Sequence, residues 1–238
     1  MEFKEFGNQS APEFGNQSAP LVLLLQPQGK SAKAGGLQLP LLSKTFCCIV
    51  PRPSNNNHFR EEPEALNFRE FVAEIMDLLD FLEICQIDVA GRSARTAIAA
   101  ELALALSGRL SSLSLYSAWL KTDSKLQATC QTLIDIANFS PDTTTAETAM
   151  AILQLSRTEI NAIEDLHSFV SKVIKEPNYP TVQDFIAYLK GCIQHDITGR
   201  IGQITAPTLV ISGTSDQLID FSDSQEVVNS IPGATIST

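Results

Sequence analysis

Short apolar runs alternate with longer stretches of mixed polarity along most of this 238-residue chain. A short apolar run between turn residues is typical of a strand that is buried on both faces of a sheet. The pattern predicts five such strands, at Leu21–Leu25, Phe46–Val50, Ile87–Ala90, Leu113–Tyr116 and Thr208–Ser212.

Helical patterns lie between these runs. Apolar residues recur at three- and four-residue steps from Phe68 to Leu82, which predicts an amphipathic helix. Asn67 is a typical N-cap for it, and Glu70 stands where a capping box places a carboxylate. A second helix is predicted at 94–107, with Gly108 as its C-cap. Strands alternating with helices predict an α/β fold, a mostly parallel sheet with helices on both faces.

The alternation stops between residues 119 and 196. This stretch predicts only helices, at Lys121–Asn138, Thr144–Leu155, Glu159–Lys175 and Thr181–Gln194. We therefore expect a helical cap at 119–196, inserted into a core made of residues 21–118 and 197–238. A last helix is expected near Ser222–Ser230.

The chain begins with a tandem repeat, because residues 5–12 and 13–20 both read EFGNQSAP. The unit is too short and too polar to form a solenoid repeat with a buried face. We expect residues 1–20 to be a duplicated polar lead-in. On this interpretation the N-terminal and C-terminal parts of the core are missing.

The formal net charge is −10, without a basic patch that could neutralise phosphates, so a nucleic-acid partner is not expected. No apolar run is long enough to span a bilayer or to form a signal peptide, which predicts no membrane association and a cytoplasmic location. The spacing of the five cysteines matches no metal or redox motif, and neither a metal nor another cofactor is expected.

The candidate chemistry lies between the third predicted strand and the helix that follows it. Gly91, Ser93 and Arg95 fall at alternate positions of this junction. A serine flanked by glycines in a G-x-S-x-G at a strand–helix turn is the nucleophile elbow, whose strained turn leaves no room for side chains. Gly91 and Ser93 fit the motif, and Arg95 replaces the second glycine. Alternatively, Ser93 only caps the helix.

The order of elements, this junction, the helical insertion and the closing segment Ala206–Asp216 together resemble the α/β-hydrolase family. The resemblance covers residues 20–238 and implies an α/β-hydrolase fold with a helical cap. It implies Ser93 as the nucleophile, the N–H of Ala94 as an oxyanion donor, and Asp216 as the acid that orients a histidine. Alternatively, Asp216 only caps a turn.

Other family motifs are altered. Gln26, Pro27 and Gln28 stand where the family has His-Gly and an oxyanion donor, which leaves Gln28 as the second candidate donor. Asn55 and Asn57 replace two glycines of a later loop. A long side chain at Arg95 is expected to overpack the elbow by about 1–3 kcal/mol unless it turns to solvent.

The catalytic histidine has no counterpart in the position that the resemblance implies, which is beyond Asp216. The three histidines, His58, His167 and His195, all precede it. His195 is the one substitute base that we consider, against the alternative that it is only a histidine on a helix of the cap.

These features predict an α/β-hydrolase-like protein whose ancestral activity is hydrolysis of a small apolar ester or acyl compound. Without the histidine, the activity is expected to be weak or absent. The alternatives are a non-catalytic module of the same fold that binds such a molecule, or a fragment that does not fold stably alone. The substrate and the oligomeric state do not follow from the sequence.

Overall fold

The computed structural model describes residues 3–6, 19–25, 38–51, 64–140, 142–175 and 179–238. Within these ranges a seven-stranded sheet has the order β1-β3-β2-β4-β5-β6-β7. Its strands are β1 (Phe3–Phe6), β2 (Leu21–Leu25), β3 (Cys47–Pro51), β4 (Ile87–Arg92), β5 (Leu110–Tyr116), β6 (Thr208–Ile211) and β7 (Thr235–Ser237). β1 is antiparallel to β3, and the other five pairings, which join β2 to β7, are parallel.

The helices of the described ranges flank this sheet or form the insertion. They are α1 (Gln38–Leu42), α2 (Phe68–Phe81), α3 (Arg95–Leu106), α4 (Ser124–Phe139), α5 (Thr144–Gln154), α6 (Arg157–Asn161), α7 (Leu166–Val173), α8 (Val182–Ile193) and α9 (Phe221–Ser230). The predicted α/β fold with a mostly parallel sheet is therefore confirmed. None of these helices is long and apolar enough to cross a membrane.

Strands β2 and β3 are buried on both faces, as their apolar runs predict. In β2, Leu23 and Leu25 join the main core under α2 and α3. Val22 and Leu24 point to the opposite face and pack with Leu39 of α1. This alternation follows from the two-residue period of a strand.

Two strands, β1 and β7, were not predicted. β1 lies within the lead-in and pairs with β3 from Phe3↔Pro51 to Phe6↔Cys48. β7 pairs with β6 from Leu209↔Thr235 to Ile211↔Ser237. Both are short edge strands that are joined to the sheet by backbone hydrogen bonds, so neither needs the apolar run that marks a central strand. Residues 3–6 of the predicted polar lead-in are thus part of the sheet.

Two predicted helix features are also wrong. The helix predicted at Glu159–Lys175 is divided into α6 and α7, because Asp165 is extended (φ −142°) and caps α7 by accepting from the Ser168 N–H. Gly108 is not the C-cap of α3, since the left-handed residue is Ser107, with φ 45°.

The helical insertion, residues 119–196, leaves and rejoins the core at one place, which we call the neck (residues 120–122 and 195–197). Here the N–H of Ile197 donates to the carbonyl of Leu120 at 2.9 Å, and that of Thr122 to the carbonyl of His195 at 3.2 Å. Lys121 and Asp196 form an ion pair at 2.8 Å across the same two segments. The neck therefore fixes the insertion beside the carboxyl ends of β4 and β5.

Candidate active site

Ser93 occupies a strained turn between β4 and α3. Its φ is 55°, a left-handed conformation that serine rarely adopts. Three hydrogen bonds stabilise the turn: the Ser93 N–H donates to the Tyr116 carbonyl at 2.8 Å, and the N–H and Oγ1–H of Thr96 both donate to the Ser93 carbonyl at 2.7 Å. The strand–turn–helix geometry expected of a nucleophile elbow is therefore present.

Gly91 shows why this turn needs a glycine. A Cβ atom placed there would lie 2.7 Å from the Ala99 Cβ and 2.8 Å from the Arg95 carbonyl oxygen. Helix α3 approaches β4 too closely for any side chain at this position. The glycine of the sequence motif is thus explained by close helix–strand packing.

Ser93 is not the capping residue of α3. The N-cap is Ala94, and no side chain accepts a hydrogen bond from the first turn. The Ser93 hydroxyl donates to no described residue, and the Ala94 N–H has no acceptor among them. Both groups are consequently available to a ligand.

Asp216 follows β6 in the loop that leads to α9. Its Oδ1 accepts from the N–H groups of Leu218 and Ile219, at 2.9 and 3.0 Å. Its Oδ2 accepts from the Ser117 hydroxyl at 2.8 Å. Asp216 therefore does cap a turn, as the alternative proposed, and also presents its carboxylate beside the end of β5.

Ser117 was missed by the sequence analysis. It directly follows β5 and has a left-handed φ of 54°, with its N–H bonded to the Ile211 carbonyl at 2.8 Å. The signal in the sequence was its place at the carboxyl end of a predicted strand, the edge where parallel sheets place their sites.

One cavity of about 740 Å³ brings these residues together. Ser93, Ala94, Ser117 and Asp216 line it from the core. From the insertion it is lined by apolar side chains that include Leu126, Met150, Phe185 and Leu189. The charged groups of the lining are the carboxylates of Glu147, Glu159 and Asp216 and the guanidinium groups of Arg92 and Arg157.

Neither described histidine reaches this cavity as a base. His195 is buried at the neck, with its Nε2 3.3 Å from the Trp119 carbonyl and its ring edge-on to that indole at 5.0 Å. Burial lowers its pKa below the ordinary value. His167 is exposed on α7. Neither is among the described residues that line the cavity, so His195 is not placed to act as the base. It packs against Trp119 just beyond the end of α8, rather than on a helix as the alternative expected.

Arg95 does not turn to solvent, contrary to one expectation. Only 3% of it is exposed, and its guanidinium lies over the rings of Phe71, at 5.1 Å, and Tyr188, at 5.4 Å. Its Nε and Nη1 have no hydrogen-bond partner among the described residues, and burial lowers its pKa. The side chain avoids the tight elbow by extending between α2 and α8.

Several residues singled out in the sequence lie outside the described ranges. They are the second candidate oxyanion donor Gln28, the loop residues Asn55 and Asn57, and His58.

The parallel sheet, the strained serine turn after β4, the acid after β6 and the helical insertion define the α/β-hydrolase fold, and comparison with solved structures confirms it. A hydrolase from Pseudomonas aeruginosa PA01 superimposes with a TM-score of 0.79 at 20% identity, over 94% of this chain and 83% of that one. The enol-lactonase from Burkholderia xenovorans LB400 gives a TM-score of 0.79 at 16% identity, over 99% of this chain and 86% of that one. BpoC of Mycobacterium tuberculosis H37Rv, named as a non-heme bromoperoxidase, gives 0.74 at 21%, over 93% and 84%.

The sequence is similar to two bacterial proteins that carry the name Putative carbamate hydrolase RutD. The protein from Stutzerimonas stutzeri is 21% identical over 206 residues, which are 84% of this chain and 75% of that protein. The one from Pseudomonas syringae is 22% identical over 180 residues, 73% of this chain and 66% of that protein. No family model matches the chain.

Proposed function

We propose that this chain is an α/β-hydrolase-like protein whose cavity binds a small apolar ester or related acyl compound and hydrolyses it weakly or not at all. Ser93 is the attacking group, the Ala94 N–H stabilises the oxyanion, and the helical insertion acts as a cap that sets the shape of the cavity. The observation that carries the proposal is the common cavity of Ser93, Ala94 and Asp216.

The arrangement supports the binding of an acyl group. The unpaired N–H of Ala94 lies directly after Ser93, the place from which an oxyanion donor acts in this kind of elbow. The apolar side chains of α4 and α8 offer the acyl chain a surface that excludes water. The names of the relatives add carbamates to the acyl compounds that deserve testing.

Weak turnover is expected because the described lining of the cavity offers Ser93 no histidine as a general base. A serine hydroxyl needs a general base within hydrogen-bond reach, and the described lining contains no histidine. Removing one triad member leaves mainly the rate supplied by binding and the oxyanion hole. A non-catalytic binding module of the same fold is the second candidate, favoured by this same feature.

Binding and turnover can be measured separately on the intact chain. Trp119 is the only tryptophan and lines the cavity, so its fluorescence reports occupancy. We expect a non-hydrolysable methyl ketone analogue of a butyrate ester to change this fluorescence saturably. We expect 4-nitrophenyl butyrate to turn over below about 1 s⁻¹, the lower end of ordinary enzymes.

Each outcome has a clear meaning. Saturable binding with slow turnover that Ser93→Ala abolishes supports a weak hydrolase. Saturable binding with turnover that Ser93→Ala leaves unchanged supports the binding module. Turnover in the ordinary range, lost in Ser93→Ala, would show that Ser93 has a base and that the proposed weakness is wrong. The absence of saturable binding would contradict both candidates.

A further inference from the structure

The carboxylate of Asp216 has an acceptor position that no described residue uses. A carboxylate accepts about four hydrogen bonds, and three come from Ser117, Leu218 and Ile219. No described lysine, arginine or histidine forms an ion pair with it. Asp216 nevertheless lines the cavity.

Ser93 and Asp216 are linked through Ser117, because Asp216 follows β6 and β5 separates β6 from β4. Ser93 follows β4, and Ser117, which bonds Asp216, follows β5. These strands pair directly, and the Ser93 N–H donates to the residue before Ser117. Adjacent strands lie about 4.8 Å apart. The Ser93 hydroxyl, which bonds no described residue, and the Asp216 carboxylate therefore lie at the same end of the cavity. The cavity leaves room for a ligand beside both groups.

A group placed there must donate to Asp216 and accept from Ser93. A neutral imidazole has one N–H donor and one nitrogen acceptor, on different sides of its ring. An alkylammonium group has donors only and cannot act as a base. The described lining carries three carboxylates and two guanidinium groups, a balance of −1 that disfavours an anionic ligand.

We infer that the cavity binds small acyl compounds whose leaving group carries an imidazole or a similar basic N-heterocycle, and that this ring supplies the base that no described residue of the lining offers to Ser93. The inference rests on the proposed function and names the substrate class of that same site.

The step balances without another reactant. The ring nitrogen takes the proton of Ser93 Oγ while Oγ bonds to the acyl carbon and the carbonyl electron pair moves to oxygen. The carbon–oxygen bond to the leaving group then breaks, and the ring returns the proton to that oxygen. The released heterocyclic alcohol, still bonded to Asp216, takes a proton from the water whose oxygen bonds to the acyl carbon. The bond from that carbon to Ser93 Oγ then breaks, and the ring passes the proton to Oγ, which gives the carboxylic acid and free Ser93.

Two esters of the same size test this inference. The acetates of 4-(hydroxymethyl)imidazole and 3-(hydroxymethyl)pyrazole both have a ring nitrogen beside the substituted carbon and differ in the basicity of the ring, because pyrazole is a much weaker base. After subtraction of the enzyme-free rate, we expect the imidazole ester to be hydrolysed on the order of 100-fold faster, the lower range of general-base catalysis. The excess should vanish in Ser93→Ala and fall at least about tenfold in Asp216→Asn.

Asp220→Asn is the matched control, because Asp220 is an exposed acid of the same loop that does not line the cavity. It should keep the full excess. Equal rates for the two esters, or an excess that survives in Ser93→Ala or in Asp216→Asn, would overturn the inference.

The butyrate measurements distinguish this failure from that of the proposed function. If the butyrate analogue binds near Trp119 while the two acetates react equally, the ring-bearing substrate class is wrong and the proposed function stands. If the analogue does not bind, both are wrong.

Discussion

At the scale of single residues, two positions of the elbow have opposite packing problems. Gly91 has no room for a Cβ atom, whereas Arg95 places a whole guanidinium in the interior. The first was predictable, because a glycine before the serine is part of the motif. The second was not, because the direction of a long side chain depends on Phe71 and Tyr188, which come from distant parts of the chain.

Gly91→Ala should lower the free energy of unfolding by about 2 kcal/mol, since the new methyl group meets Ala99 and the Arg95 carbonyl. The matched control is Gly108→Ala, because a Cβ there meets nothing within 4 Å. Urea unfolding of both variants measures the difference. Equal stabilities would mean that α3 lies farther from β4 than the structure places it.

Arg95→Met should raise the free energy of unfolding by about 1 kcal/mol. Methionine keeps the apolar stem between the two rings and removes a buried charge without hydrogen-bond partners among the described residues. Arg95→Ala should instead lower it by about 2 kcal/mol through the cavity that it leaves. If urea unfolding shows that the methionine variant is less stable than the unchanged chain, the guanidinium has a stabilising partner.

At the scale of elements, the neck joins the helical insertion to the sheet through buried polar groups. The Thr122 hydroxyl accepts from the Trp119 indole N–H at 3.0 Å and donates to the Cys192 carbonyl at 2.6 Å. The sequence located the insertion because the alternation of strands and helices stops at residues 119–196. It missed β1 and β7, because edge strands carry no continuous apolar run.

Thr122→Val should lower the free energy of unfolding by about 1–2 kcal/mol, because it leaves the Trp119 indole N–H unpaired and removes one of the hydrogen bonds to the Cys192 carbonyl. Thr132→Val is the control, since Thr132 is exposed on α4 and bonds only the carbonyl of Ala128. It should change stability by less than about 0.5 kcal/mol. Similar losses for both valine variants in thermal unfolding would show that the neck does not hold the insertion.

At the scale of the whole molecule, acid should weaken the fold through His195. Burial lowers the pKa of this histidine, so the unfolded chain binds a proton at its ring more readily than the folded chain. The histidine therefore stabilises the fold above its ordinary pKa of about 6.5, and this contribution is lost as the pH falls through the lowered folded value.

We expect the midpoint of urea unfolding to fall between pH 7.5 and pH 5.5, and to fall less steeply in His195→Gln, which keeps a donor for the Trp119 carbonyl. His167→Gln is the control, because His167 is exposed and should leave the pH dependence unchanged. A steeper dependence in His195→Gln would reverse the assigned direction of the pKa.

Most of the fold could be predicted because its central strands and most of its helices follow simple apolar periods, and the strand–helix junction at Ser93 indicated the place of the candidate site. The hydrogen bond that holds Asp216 in the site could not be predicted from the sequence. The bond between Ser117 and Asp216 joins residues that lie 99 positions apart, and only the order of strands in the sheet brings them together.

The central claim is the proposal that Ser93 and Asp216 form one site in which no described residue acts as the base, and labelling of Ser93 with a fluorophosphonate tests it most directly. Intact mass measured over time should show a slow adduct that free imidazole accelerates, that Ser93→Ala abolishes, and whose acceleration falls in Asp216→Asn. Rapid stoichiometric labelling without imidazole would show that Ser93 already has a base. No labelling of Ser93 even with imidazole would show that the elbow does not present a nucleophile.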